Sequence, residues 1–387
     1  MFKFFGSKTK PLTVSDYEEQ ILATVGLIKD QNVWAYDVHF SREESKEDDK
    51  KKSFIHTIEV GRGHPETVVL IHGYGATGVF FFKMMAQLAK YVHVFAIDQY
   101  GTGNSERPCF KIKDYDETVS FFADAIEGWR KELGLEDFHL LGHSFGGYTA
   151  FQYVRTKNPP IKSLYLMSPA GFTGKTDKEM EEGFKKRMKN KASGWRMKMF
   201  RAVFYLIEEW QFTPFQLMSV IGRKRAMTKY YKSKRLALSE QQSELFANFY
   251  YEVMKMPTSS DKALGVFLNK ARYSKKPIIE DLEKMTREKK LPKRLVLMYG
   301  DDDWMDKEHS KEQVEKRCID LDFRLVKDCG HQMSLKQPIE IAKMIVEDLG
   351  MEFKEVVRVN HLDHETGEIL KAPAEKIGKL LINLNAI

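Results

Sequence analysis

Short apolar runs recur along the chain and alternate with stretches of helical periodicity. Because these runs lack polar alternation, they predict strands that are buried on both faces of a sheet. The runs occupy residues 68–71, 92–97, 138–141, 164–167, 295–299 and 323–326. Helical patterns occupy the intervals near 80–90, 116–133, 147–156, 308–317 and 336–348. This alternation predicts an α/β fold with a mostly parallel, twisted sheet and helices on both faces.

The first 65 residues follow a different pattern. Residues 1–65 predict a helix near 15–28 and two strands of alternating polarity at 34–40 and 54–60. The charged stretch 43–52 lies between these strands and predicts a solvated hairpin tip. We therefore expect a helix and a strand hairpin to precede the α/β core.

One long insertion interrupts the core. The core pattern covers residues 66–171 and 294–348, whereas 172–293 is helical, with no strand pattern and many Met, aromatic and basic residues. An insertion at the carboxyl ends of the strands lies where ligands enter such a sheet, so a helical cap or lid is predicted. We assign no role to the extension at 349–387.

Composition narrows the class of protein. The chain has 387 residues, of which 42% are hydrophobic, and a formal net charge of +7. The basic excess favours anionic surfaces, and lipid headgroups are preferred because no nucleic-acid-binding motif is present. Its three cysteines include no Cys-x-x-Cys pair, which argues against a disulfide framework or zinc site and favours a reducing, intracellular compartment.

No apolar stretch approaches the roughly 18–20 residues that span a bilayer. The apolar part of residues 1–8 is too short for a signal peptide. A cytoplasmic protein, or one peripheral to a membrane, is the expectation, and a mitochondrial address is compatible with it.

A nucleophile motif follows the third apolar run. The stretch 140–147 contains Gly142, Ser144 and Gly146 in the spacing Gly-x-Ser-x-Gly, between a predicted strand and a predicted helix. Such an elbow projects the serine hydroxyl above the sheet edge, and the glycines allow neighbouring backbone to pass closely. The alternative interpretation is a glycine-rich turn whose serine only caps the helix.

An oxyanion loop is predicted at the end of the first apolar run. Residues 71–75 contain His72, Gly73 and Tyr74. The backbone amides of Tyr74 and Phe145 could together hold a developing oxyanion. We expect His72 and Gly73 to support this loop and not to act as a base.

An acid and a base complete the predicted constellation. Asp303 and Asp306 follow the fifth apolar run, and Asp303 is preferred because it stands three residues after the glycine that ends the strand. His331 follows the last run, in the chain order Ser, Asp, His that this fold uses. His331 would take the proton of Ser144 and later protonate the leaving group, with Asp303 orienting it. This chemistry needs no metal or cofactor.

One further motif suggests a different chemistry. The glycine-rich stretch 98–108 lacks the spacing of a nucleotide-binding loop, so a structural turn is expected there. His93 and Asp98 match a His-x4-Asp pattern proposed for acyltransferases, but the pattern begins inside a predicted buried strand, so we interpret it as chance.

Together these motifs resemble the α/β-hydrolase fold superfamily over residues 66–173 and 294–348. More narrowly, the chain resembles a lipid-acting branch. That branch includes the N-acylphospholipid lysophospholipases, the lipase co-activator of lipid droplets and the yeast cardiolipin-specific phospholipase. The narrower resemblance is carried by residues 213–215, 249–251, 275–278 and 299–306.

Two comparisons within this branch bear on activity. The lipid-droplet co-activator has Asn where Ser144 stands, so the serine here favours catalysis. Members of the branch often carry His-x4-Asp at the catalytic histidine, a motif linked to lysophospholipid acyltransfer. Here Lys336 occupies the position of that aspartate, which weakens the acyltransferase interpretation.

We therefore expect a serine hydrolase that cleaves acyl ester or amide bonds of phospholipid-like substrates. Three alternatives stay open: a non-catalytic scaffold that retains the triad, a lysophospholipid acyltransferase, and a soluble hydrolase of small esters or peptides. The expected partners are a lipid or acyl-ester substrate and a membrane or lipid-droplet surface, without nucleic acid. The oligomeric state is left open.

Overall fold

An eight-stranded sheet forms the centre of the computed structural model, which describes residues 12–41, 52–174, 223–233, 236–256, 258–268 and 274–354. The strands are β1 (Val33–Phe40), β2 (Ser53–Val60), β3 (Thr67–Ile71), β4 (His93–Ile97), β5 (Phe138–His143), β6 (Ile161–Met167), β7 (Arg294–Gly300) and β8 (Asp322–Val326). Their spatial order is β1-β2-β4-β3-β5-β6-β7-β8. The hairpin β1–β2 and the pair β2–β4 are antiparallel, and the other neighbours are parallel.

Helices connect these strands and cover the sheet. They are α1 (Val14–Ala23), α2 (Phe82–Leu88), α3 (Tyr115–Glu132), α4 (Phe145–Lys157), α5 (Arg223–Tyr231), α6 (Glu240–Val253), α7 (Ser259–Phe267), α8 (Ile278–Arg287), α9 (Lys307–Lys316), α10 (Met333–Lys336) and α11 (Pro338–Asp348). In the described ranges, no helix is both long and apolar enough to cross a bilayer.

Both faces of the sheet are buried. Along β3, Val68 and Leu70 belong to one apolar cluster, which includes residues of α2 and α11. Val69 belongs to the other cluster, with residues of α3 and α4. Successive side chains of a strand point to opposite faces of the sheet. Because helices cover both faces, every position along such a strand is buried and is occupied by an apolar residue. The predicted α/β architecture with a mostly parallel sheet is confirmed.

The strand order sets the position of the site. The chain passes from β3 to β4 on one side and later returns to place β5 on the other side of β3. The direction of winding reverses at β3, and ligands bind at such switch points outside the carboxyl ends of the strands. The loops that follow β3 and β5 therefore meet at this edge.

The described helices between β6 and β7 pack against the core. Phe246 and Tyr250 of α6 contact Phe80, at ring-centroid distances of 6.1 and 6.5 Å. Tyr231 of α5 stacks on Tyr250 at 5.3 Å. These rings join the apolar cluster on the α2 face of the sheet, so α5 and α6 share the core with β3 and its following turn.

Several sequence predictions fall outside the described residues. They include the hairpin tip predicted at 43–52, apart from its last residue, the stretch 213–215, and the part of the extension 349–387 that begins at residue 355. The limits of the inserted cap at 172–293 stay a prediction. Two helix limits differ from expectation. Helix α1 ends at Ala23 because Gly26 turns the chain with φ of 80°, and α10 and α11 are separate helices because Pro338 starts the second one.

A buried ion cluster holds α1 to the sheet. The Nε2 atom of His56 on β2 lies 2.9 Å from a Glu18 carboxylate oxygen, and its Nδ1 atom lies 2.8 Å from Asp37. Because a carboxylate only accepts hydrogen bonds, both ring nitrogens carry protons and His56 is a cation. Burial lowers the pKa of His56, but the two carboxylates outweigh burial and hold that pKa well above its ordinary value.

This cluster makes a prediction about stability and pH. We expect His56→Gln to lower the free energy of unfolding by about 3 kcal/mol at pH 6, because the buried Glu18 and the partly exposed Asp37 lose their cation. A raised pKa gives stabilisation that is complete below about pH 6.5 and is lost as pH rises through the folded-state value. The difference in the free energy of unfolding between His56→Gln and the wild type, measured by urea denaturation, should therefore be smaller at pH 9 than at pH 6.

The same substitution at His64 provides the control, because this residue lies in the turn between β2 and β3 and is only partly buried. His64→Gln should change the free energy of unfolding by no more than about 0.5 kcal/mol. An equal loss for His56→Gln at both pH values would show that the histidine is not charged.

Candidate active site

Ser144 occupies a strained turn between β5 and α4. Its backbone angles are φ 54° and ψ −118°, in a region that residues with a side chain rarely adopt. The amide of Ser144 donates to the Met167 carbonyl at 2.9 Å, and its own carbonyl accepts from the Ala170 amide at 2.9 Å. The end of β6 thus fixes the conformation that projects the hydroxyl, as the elbow motif predicts.

The two motif glycines stand where side chains do not fit. A Cβ atom at Gly142 would lie 2.3 Å from the Gly146 carbonyl oxygen. A Cβ atom at Gly146 would lie 2.3 Å from the carbonyl oxygens of Ile71 and His72. The elbow therefore packs directly against the end of β3, which carries the predicted oxyanion loop.

The structure brings Ser144, His331 and Asp303 together. The Ser144 Oγ atom lies 3.0 Å from His331 Nε2, and His331 Nδ1 lies 3.2 Å from Asp303 Oδ1. The carboxylate can only accept, so Nδ1 carries the proton and Nε2 is free to accept from the serine. This is the relation of nucleophile, base and orienting acid that acyl transfer requires.

The Asp303 carboxylate is fully buried and well supplied with donors. The amide of Met305 donates to its Oδ1 at 3.0 Å, and the Ser168 hydroxyl donates to its Oδ2. Burial raises the pKa of Asp303, but the His331 ring and these donors outweigh burial, so the pKa lies below its ordinary value. Asp303 is therefore an anion that stabilises a charged imidazole.

The neighbouring aspartates have different roles. Asp306 precedes α9, and its carboxylate accepts from the His309 amide at 3.2 Å as a helix cap. Asp301 accepts from the amides of Asp328 and Cys329, at 3.0 and 3.1 Å. Asp301 thus ties the loop after β7 to the loop that carries the candidate base. Of the two predicted orienting acids, the structure places Asp303 on the histidine and Asp306 on a helix end.

The predicted oxyanion donors lie beside the nucleophile. Phe145 is the first residue of α4, so its amide has no partner within the helix. A Cβ atom at Gly73 would lie 3.0 Å from the Ser144 Cβ atom, which places the loop bearing Tyr74 against the serine. The assignment of the Tyr74 and Phe145 amides to the oxyanion stays a prediction.

His72 supports this loop as a neutral residue. Its Nδ1 atom lies 2.8 Å from the Gly73 carbonyl oxygen, and its Nε2 atom accepts from the Gln99 amide at 2.9 Å. Because one nitrogen donates and the other accepts, the ring is uncharged. Burial lowers its pKa, in agreement with that state.

His143 has a role that the sequence reasoning missed. Its Nε2–H donates to the backbone carbonyl of His331 at 2.9 Å, and the two rings lie 4.9 Å apart. Burial lowers the pKa of His143 to about 3, so the ring is neutral at physiological pH. The only available signal was its position before the serine, at the strand end that faces the other loops.

The His-x4-Asp pattern on β4 does not form a pair. His93 begins the strand and lies 2.7 Å from Glu59, whereas Asp98 follows its other end. Asp98 accepts from the amides of Gly78 and Asn104 at 2.6 Å. Both residues have structural roles, and the stretch after β4 is a turn held by Asp98.

With this geometry established, comparison with known proteins defines the class. The family model described as alpha/beta hydrolase fold matches residues 66–338. The chain belongs to the α/β-hydrolase fold family.

The relatives lie in the lipid-acting branch of that family. The 1-acylglycerol-3-phosphate O-acyltransferase of Arabidopsis thaliana is 31% identical over 291 residues, covering 73% of this chain and 66% of its own length. The (lyso)-N-acylphosphatidylethanolamine lipase of Homo sapiens is 23% identical over 307 residues, covering 78% of this chain and 83% of its own length.

Solved structures show the same fold. Carboxylesterase CesB from Bacillus subtilis aligns with a TM-score of 0.55 and 16% identity, covering 87% of this chain and 96% of that one. At this identity the likeness concerns the fold alone.

The two candidate acids can be separated by matched substitutions. We expect Asp303→Asn to lower the rate of labelling by a fluorophosphonate about 10³–10⁴-fold, because the amide no longer favours the required tautomer. Asp306→Asn should change that rate by less than about twofold, because asparagine also caps helices. A larger loss for Asp306→Asn would reassign the acid.

The bond from His143 can be tested in the same way. His143→Leu removes the donor to the His331 carbonyl, and we expect the labelling rate to fall about tenfold, the equivalent of one hydrogen bond. His143→Gln should recover most of that rate, because its amide nitrogen can donate to the same oxygen. Equal rates for both variants would show that the bond does not position His331.

Proposed function

We propose that the protein is a serine hydrolase that cleaves acyl ester or amide bonds of phospholipid-like substrates. The observation that carries this proposal is the continuous contact from Ser144 through His331 to Asp303, at 3.0 and 3.2 Å. The serine lies at the carboxyl edge of the sheet, where substrates of open α/β sheets bind.

The geometry supports a two-step reaction. The Ser144 oxygen attacks the acyl carbonyl carbon while its proton passes to His331 Nε2. The amides of Phe145 and Tyr74 hold the oxyanion, and His331 returns the proton to the leaving group. Water then attacks the acyl-serine, gives its proton to His331 and releases the fatty acid and the serine.

The lipid character of the substrate rests on the relatives and on charge. The human relative is named as a lipase of N-acylphosphatidylethanolamine, and the plant relative as an acyltransferase of 1-acylglycerol-3-phosphate. The net charge of +7 suits contact with anionic headgroups. The proposal includes an intracellular location. There the protein would attach peripherally to the anionic surface of a membrane or lipid droplet.

A second candidate is acyl transfer to a lysophospholipid alcohol. The names of the plant relative and of a Saccharomyces cerevisiae relative, 25% identical over 325 residues, favour this reaction. It uses the same acyl-serine, with an alcohol in place of water. Lys336 stands where the branch pattern has aspartate, but the contacts described above do not involve that position.

The nucleophile assignment has a direct test. We expect Ser144→Ala to abolish labelling by a fluorophosphonate and turnover of a long-chain lysophospholipid, because the variant lacks the proposed attacking oxygen. Labelling is read by in-gel fluorescence, and turnover by mass spectrometry of released fatty acid with and without a lysophospholipid acceptor.

Ser120, an exposed serine on α3, provides the matched control. Ser120→Ala should be labelled as the wild type is. Persistent labelling of Ser144→Ala would overturn the nucleophile assignment. Absence of labelling and turnover in the wild type would instead favour a scaffold that retains the triad.

A further inference from the structure

Trp304 is an exposed aromatic side chain in contact with the candidate base. Its ring centroid lies 5.0 Å from that of His331, with an angle of 50° between the planes. Trp304 is 67% exposed, more than any other large apolar side chain in the described part of the chain. The preceding Asp303 and the following Met305 are joined by a hydrogen bond, so the backbone that carries the indole is fixed.

The fold itself does not require this side chain. An indole that is two-thirds exposed contributes little buried apolar area, and the substitution of exposed residues usually changes stability by less than about 0.5 kcal/mol. The contacts that hold His331 come from elsewhere: Asp303 on Nδ1 and the buried His143 on its backbone carbonyl. The exposed indole is therefore available to a ligand.

The reaction determines which part of a substrate reaches Trp304. The carbonyl oxygen of the ester faces the amides of Phe145 and Tyr74. The leaving oxygen must approach His331 Nε2, because that nitrogen returns the proton taken from Ser144. The alcohol portion of the ester thus lies next to the imidazole, and the indole of Trp304 is in contact with that ring.

We propose that Trp304 forms the binding surface for the alcohol portion of the ester, and for the alcohol that accepts the acyl group in transfer. This inference rests on the proposed function and deepens it. The acceptor oxygen attacks the acyl carbon, its proton passes to His331 Nε2, and the Ser144 oxygen leaves and takes that proton. The incoming alcohol therefore occupies the place of the departed one.

The chemistry of the indole indicates the class of alcohol. Its faces pack against C–H groups, and its N–H can donate to an oxygen, which suits a glycerol backbone. Water gains nothing from an apolar surface. Trp304 therefore favours glycerol-type alcohols over water in the second step and shifts the balance from hydrolysis toward transfer.

A different role would leave a different signature. An indole that only stabilises the charged form of His331 by its electron-rich face would assist every substrate equally. It would also shift the pH dependence of kcat/KM for all esters. A binding surface for the alcohol instead changes the ratio of the kcat/KM values of two substrates that differ only in their alcohol.

The experiment compares two esters of one acyl chain, a 1-acyl-glycerophospholipid and the fatty acid methyl ester. We expect Trp304→Ala to lower the ratio of their kcat/KM values about tenfold, mainly through KM, a size typical of lost apolar contact. With a lysophospholipid acceptor present, the yield of transfer relative to hydrolysis should fall by a similar factor. Trp304→Phe should retain most of both ratios.

The control is Leu325→Ala, which truncates an exposed apolar side chain on β8. It should leave both ratios unchanged. Equal losses on both esters with a shifted pH profile would overturn the proposal in favour of a positioning role. Failure of the proposed function is recognised separately, by absence of wild-type turnover of either ester.

A binding measurement tests the inference without turnover. A non-hydrolysable ether analogue of the lysophospholipid, titrated calorimetrically into Ser144→Ala, should bind about tenfold more weakly when Trp304→Ala is added. Undiminished binding would overturn the role of Trp304 whatever the activity of the wild type.

Discussion

The close approach of the elbow to the end of β3 is the constraint on which the site depends. Only hydrogen fits at Gly146, because a Cβ atom there would lie 2.3 Å from two carbonyl oxygens of the neighbouring strand end. This contact joins β3, β5 and α4 at one point. It places the loop that carries Tyr74 against Ser144, so the nucleophile and the predicted oxyanion donors form one unit before any other loop is considered.

The remaining groups come from the next strands of the sheet. Ser144, Ser168, Asp303 and His331 follow β5, β6, β7 and β8, which are consecutive parallel neighbours. Their hydrogen bonds run from Ser144 to His331, from His331 to Asp303, and from Ser168 to Asp303. A buried carboxylate is costly unless donors surround it. The parallel sheet supplies them, because it brings every carboxyl end to the same edge.

Much of this was accessible from the sequence. The buried strands show as continuous apolar runs, and the elbow has a local signature of strand, glycine, serine, glycine and helix. From the sequence, Asp303 was preferred to Asp306 only because of its spacing from the strand end. The conformation of the turn after β7 is what distinguishes the two residues. The backbone at Asp303 directs the carboxylate toward His331, whereas Asp306 precedes α9 and accepts from an amide of its first turn.

The sequence by itself determined the alternation of strands and helices, the elbow and the order of nucleophile, acid and base. Those features depend on local periodicity and turn chemistry. Only the tertiary structure decided that His143 holds the carbonyl of His331, 188 positions away, and that Ser168 donates to Asp303, 135 positions away. The tertiary structure also places the exposed Trp304 beside His331. Contacts between residues far apart in the sequence depend on which strand ends become neighbours in the sheet. Local sequence patterns do not predict that order.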